Sequence, residues 1–157
     1  MLLAAGEPQM NRVLILIHLL AVIAWIGGMF FAHVCLRPVA AAQLPPPQRL
    51  PLMAAVLGRF FVVVGWALLL LWGSGLIRFA RAGAAIPANW LAMAGIAAVM
   101  TVILALIVFR FHCRMVTAVA ASDWPQAGAA MNTIRKLVLV NLTLGLVTVA
   151  VAVLGGL

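Results

Sequence analysis

Four continuous apolar runs, over residues 13–36, 60–77, 90–109 and 137–154, constrain this chain more than any other feature. Each is close to the roughly 20 helical residues needed to cross about 30 Å of hydrocarbon. Hydrophobic residues make up 68% of the 157-residue chain and charged residues 8%, with a mean hydropathy of +1.27. A water-soluble domain of this size has nowhere to hide so much apolar surface, so the solvent for the runs is a bilayer. A lipid-exposed barrel would alternate polar and apolar residues in segments of about 10, and these runs do not alternate. The predicted fold is all-α: one membrane domain over residues 1–157, built as a four-helix transmembrane bundle.

The formal net charge of +8 raises nucleic acid as a partner, but the basic residues sit at the ends of apolar runs rather than along one stripe. They read as topological signals. Arg12, Arg78 and Arg81 fall on the side where the first span starts, here side A. Arg37, Arg49, Arg59, Arg110, Arg114, Arg135 and Lys136 fall on the opposite side B. Cytoplasmic loops carry the excess of Lys and Arg, so side B is expected in the cytoplasm and both termini outside it. A bacterial inner membrane suits this pattern. The first apolar run exceeds the length of a signal-peptide core and is followed directly by Arg37, so it reads as an anchor, despite the small residues of "VAAAQ". Cys35 and Cys113 both fall near side B, where a reducing cytoplasm argues against a disulfide between them.

Between the first two runs, "QLPPPQRLP" (residues 43–51) reads as a stiff polyproline-like turn, followed by an interfacial helix or an early start to the second span. "RFARAGAAIPAN" (78–89) is a short turn. In "ASDWPQAGAAMNTIRK" Ser122 or Asp123 can cap a helix whose first turn holds Pro125, and that helix can run into span four.

Residues with ligand chemistry interrupt the first span. At ~100° per residue Val22, Trp25 and Met29 lie within about 40° of the direction of His18, with His33 drifting to about 60°. Ala24, Gly28 and Ala32 form a second stripe with the small-residue spacing that lets another helix approach, whether from the same chain, a second copy or another membrane subunit. His18 lies about 8 Å inside side A and His33 roughly 22 Å further along, too far apart to share one metal ion. Two levels follow. The outer one has His18, with Met93 of the third span as a partner, Trp25, Trp72 and Trp90 as apolar walls, and Arg78 for acidic groups of a cofactor. The inner one has His33, His112, Cys113 and Met29, with Asn141 nearby.

Imidazole suits haem iron or copper, and thioether or thiolate suits Cu(I). The alternative for each histidine is a neutral ring hydrogen-bonded within the bundle, and for each methionine it is core packing. His18 is the most deeply placed, and an imidazole in hydrocarbon is costly unless one nitrogen is coordinated and the other donates to a carbonyl or a hydroxyl such as Ser74 or Thr148. Glu7 and Asp123 are the whole acidic supply, and neither lies in a span. Carboxylate proton relays and carboxylate general-base catalysis within the membrane are therefore disfavoured.

The first span, with His18 seven residues ahead of the "WIGG" step at Trp25 and closing on "LRP", resembles the start of the copper-resistance protein D (CopD) domain. "LGRFFVVVGWALLLLWGSGL" and "IRKLVLVNLTLGLVTVAVAVLG" are similar to its later spans. The pattern also resembles the HemJ-type protoporphyrinogen oxidases, four-helix relatives that bind haem through a first-span histidine, matched here by His18. Trp25 and Gly28 match the aromatic residue and glycine of the following step. Two positions depart from that pattern. "NWLAMAGIAAVM" lacks the third-span lysine, leaving Met93 or an empty position, and Asn141 stands where these families typically carry a glutamate. The resemblance implies a protein that binds copper or haem b and serves copper transport, copper homeostasis or membrane redox chemistry. A non-catalytic accessory subunit and a HemJ-like oxidase are the alternatives.

Overall fold

The computed structural model describes residues 2–83 and 86–155, with side chains from residue 9 onward. Among the described residues there is no strand. Four helices are long and apolar enough to cross a membrane: α1 (Gln9–Gln43), α2 (Pro46–Ala82), α3 (Ala88–Ala120) and α4 (Trp124–Leu154). The first is preceded without a break by helix from Leu2.

All four helices overrun the apolar runs that predict them, chiefly at side B. The 37 residues of α2 extend about 55 Å at ~1.5 Å each, against about 30 Å of hydrocarbon. The expected polyproline turn is not formed. Only Leu44 (φ −122°, ψ 132°) and Pro45 (φ −66°, ψ 159°) are extended, and α2 begins at Pro46. A proline in the first helical turn forfeits no intrahelical bond and brings the φ that a helix needs, so consecutive prolines there start a helix as readily as they stop one. The cap of α4 agrees with the sequence reading. Asp123 Oδ1 accepts from the Gln126 backbone N–H at 2.9 Å, Pro125 lies in the first turn, and the helix continues unbroken to Leu154.

The inward face of α1 keeps a spacing of four residues: Ala21, Trp25 and Met29 are buried, and His33 is half-buried. An ideal α-helix would rotate such a row steadily away from the core. Ile23–Gly27 and Phe31–Leu36 are instead π-helical, and a turn closed by i→i+5 bonds holds more than four residues, which cancels the drift. A third π-helical turn, Ile107–His112, occurs in α3.

Packing divides the bundle by depth. Toward side B the four helices share a tight core in which Met53, Met115, Ala127 and Ile134 are buried. Small residues allow this close approach. Toward side A the principal neighbours are α1 with α2 and α3 with α4, so two helical hairpins face each other across a looser centre. Leu16, Ile23, Val62, Trp66, Leu69 and Phe109 are exposed on the outer surface, as lipid contact demands.

Within the Ala24–Gly28–Ala32 stripe, Gly28 serves the packing of the chain itself. A Cβ added at Gly28 would overlap the ring of Phe60 on α2, so this glycine seats the α1–α2 crossing. Gly28→Ala is expected to destabilise the protein by about 1–3 kcal/mol, the usual range for overpacking. Thermal unfolding in detergent measures this, and an unchanged midpoint would show that Phe60 swings aside freely.

Candidate functional site

The opening between the two hairpins on side A is a cavity of about 260 Å³. All four helices contribute to it, and its wall is mostly apolar, with Val22, Leu71, Trp72, Trp90, Met93 and Ala97 among the lining residues. His18, Arg78, Asn89 and Thr148 bring the polar atoms. An apolar cavity with a few convergent polar groups is the usual form of a small-molecule or cofactor site.

His18 reaches this cavity from α1 and is held from behind by α2. Its Nδ1 lies 3.0 Å from Ser74 Oγ, and that hydroxyl lies 2.6 Å from the Leu70 carbonyl and 3.1 Å from the Leu71 carbonyl. A serine hydroxyl has one proton. The short contact to Leu70 takes it, so the oxygen lone pair receives Nδ1–H from the imidazole, and Nε2 is left as the unprotonated ring nitrogen. A hydroxyl or carbonyl fixing one nitrogen so that the other can coordinate is the arrangement found behind metal-bound histidines. Ser74 is therefore the orienting hydroxyl. Thr148, the other candidate, lines the cavity but donates to its own helix at the Leu144 carbonyl, 2.9 Å away.

Arg78 lines the side-A end of the cavity. Its guanidinium carbon lies 4.4 Å from the centroid of the Trp90 ring, a cation–π contact that joins α2 to α3, while its buried Nε has no hydrogen-bond partner. A second tie between the same helices runs from Trp72 Nε1 to Thr101 Oγ1 at 3.2 Å, and nothing in the local sequence signals it. Met93 lines the cavity with His18, as their predicted common level requires. Trp25 does not. It is buried in the bundle core, and its Nε1 has no partner, so the aromatic walls are Trp72 and Trp90 instead. Its position on the inward stripe was legible; its separation from His18 by depth decides the rest.

The inner level is not assembled as one site. Among the described residues no three His, Cys, Asp or Glu side chains gather closely enough to hold a metal ion. His112 Nε2 donates to the Ala54 carbonyl at 3.0 Å, and its ring meets Phe61 edge-on at 5.1 Å, so it ties α3 to α2. Cys113 is exposed, with its thiol 3.4 Å from the Val108 carbonyl. His33 is half-buried on the inward face of α1. Met29 is core filling. Asn141 is fully buried in α4, and neither its Oδ1 nor its Nδ2 has a partner.

No protein-family model, curated protein or solved structure matches this chain. The four apolar helices define it as a multi-pass membrane protein.

Proposed function

We propose that the chain binds haem b, or copper, through His18 in the side-A cavity, and serves membrane redox chemistry or copper homeostasis in a bacterial inner membrane. The observation that carries this reading is the His18 ring, fixed by Ser74 through Nδ1 at the wall of an apolar cavity. The residues present fit haem b better than copper. Haem asks for an axial nitrogen, apolar walls and a cation for its carboxylates. His18, the Trp72 and Trp90 faces, and the unpartnered Arg78 Nε answer those needs. Copper would find His18 and Met93 in this cavity but, among the described residues, no further His, Cys, Asp or Glu lining it.

When bound, haem b supplies one-electron redox chemistry. The protein's part is to hold the imidazole in one tautomer, keep water out with an apolar wall, and neutralise negative charge at the membrane surface with Arg78. The resemblance of the first span to the HemJ-type oxidases, whose haem-binding histidine is matched by His18, supports the same assignment. The accessory-subunit alternative requires only the His18–Ser74 hydrogen bond. An absorption spectrum of the purified protein after incubation with haemin tests the choice. A Soret band displaced from that of free haemin supports haem, copper retained after incubation with a copper salt supports metal handling, and the absence of both overturns the proposal.

Arginine asymmetry sets the proposed orientation, with the Arg49 and Gln126 regions in the cytoplasm and both termini outside. A cysteine placed at Gln126 in a chain lacking Cys35 and Cys113 is expected to resist an impermeant thiol reagent in intact cells and to react after permeabilisation. Labelling from outside would reverse the topology.

A further inference from the structure

On side B, away from the His18 cavity, a second and smaller cavity of about 120 Å³ lies where α1, α2 and α4 meet. Arg37 and Arg49 line it with Asn132, and Leu50, Met53 and Met131 supply its apolar wall. Both arginines are half-buried, whereas Arg59, Arg110, Arg114 and Lys136 on the same side are exposed. The positive charges of Arg135 and Arg49 act on Arg37. Two cations thus share the cavity, and the chain has almost nothing to answer them. Glu7 belongs to side A, and Asp123 is engaged through both carboxylate oxygens by Gln126, at 2.9 Å to its backbone N–H and 3.1 Å to its side chain.

Half-burying two guanidinium groups side by side without a carboxylate is unfavourable for the chain alone. An external anion removes the cost. The forked N–H donors of arginine match the oxygens of a phosphate, and the asparagine amide adds a further donor. Gly128, which also borders the cavity, has open space where a side chain would stand, so a ligand can approach the α4 backbone there. Arg37 directly follows the apolar run of α1, which puts the cavity at headgroup level with apolar residues beneath it. We propose that this cavity is a phosphate-binding site, occupied by the phosphodiester of an anionic phospholipid of the side-B leaflet. The polar rim takes the phosphate, and Leu50, Met53 and Met131 take the glycerol and upper acyl carbons.

The test is made on the full chain in nanodiscs of phosphatidylcholine, with or without phosphatidylglycerol. Native mass spectrometry counts retained phosphatidylglycerol, and thermal unfolding follows the stabilisation it brings. Retention is expected to weaken about five-fold for Arg37→Gln or Arg49→Gln and about 25-fold for the pair. Arg59→Gln removes the same charge from outside the cavity and should leave retention nearly unchanged. In phosphatidylcholine alone, whose phosphodiester charge is already balanced by its own choline, the paired variant should unfold no earlier than the parent, because it relieves repulsion, and this separates loss of binding from loss of fold. Equal retention by the paired variant and the parent would overturn the site, as would an equal loss in Arg59→Gln. Stabilisation by inorganic phosphate that matches that by phosphatidylglycerol would overturn the lipid as its occupant.

Discussion

His18→Ala is expected to abolish cofactor binding while the protein inserts and folds as before. The substitution removes the cavity-lining imidazole and leaves α1 with the same length and a more apolar face, so the span itself is not weakened. Ser74, whose hydroxyl already donates to the Leu70 carbonyl, keeps that partner when the imidazole is gone. The expected result is disappearance of the Soret band, or of bound copper, with unchanged helical circular dichroism. Ser74→Ala should act through the imidazole rather than on the cofactor directly. It frees Nδ1 and the ring orientation, and cofactor affinity is expected to fall about 10–100-fold, the usual cost of losing a partner behind a metal-bound histidine. Retention of the full cofactor complement by a folded His18→Ala protein would end the assignment.

The second large effect has the opposite sign to most core substitutions. Asn141 is 0% exposed, and both of its side-chain polar atoms lack partners, roughly 8 Å inside the hydrocarbon from Lys136. Each buried unsatisfied group costs about 1–3 kcal/mol, and a leucine of similar volume carries no such group. Asn141→Leu is therefore expected to stabilise the folded chain by about 2 kcal/mol, the lower part of the range, because an asparagine in an unfolded membrane chain also finds partners. Unfolding in mixed detergent measures it. Destabilisation of similar size would mean that the amide binds an internal water or ligand worth keeping, and would make the Asn141 level a functional site in its own right.

Much of this architecture follows from local properties. The length of each apolar run, the Asp123 cap and the inward row of His18, Trp25 and Met29 depend on residues a few positions apart, and helical geometry converts them directly into spans, a helix start and a face. The common level of His18 and Met93 also follows, because antiparallel succession makes α1 and α3 run the same way. Proline at 45–47 was misleading for a local reason as well. The same residue that terminates a helix at its interior also begins one, and only the actual backbone shows that Leu44 and Pro45 alone are extended.

Sequence by itself determined the solvent, the number of helices and which residues face inward, since these depend on hydrophobic length and period. The tertiary structure decided which inward residues meet. His18 and Ser74 are 56 positions apart, and their hydrogen bond depends on how α1 and α2 slide and rotate against each other, which the Gly28–Phe60 contact and the π-helical turns of α1 help to set. The same offsets gave His112 to the Ala54 carbonyl instead of to an inner metal cluster, and placed Trp25 in the core instead of the cavity wall. Pairings of this kind are global because a shift of a single residue between two helices moves a side chain by about 1.5 Å and 100°, enough to exchange one partner for another.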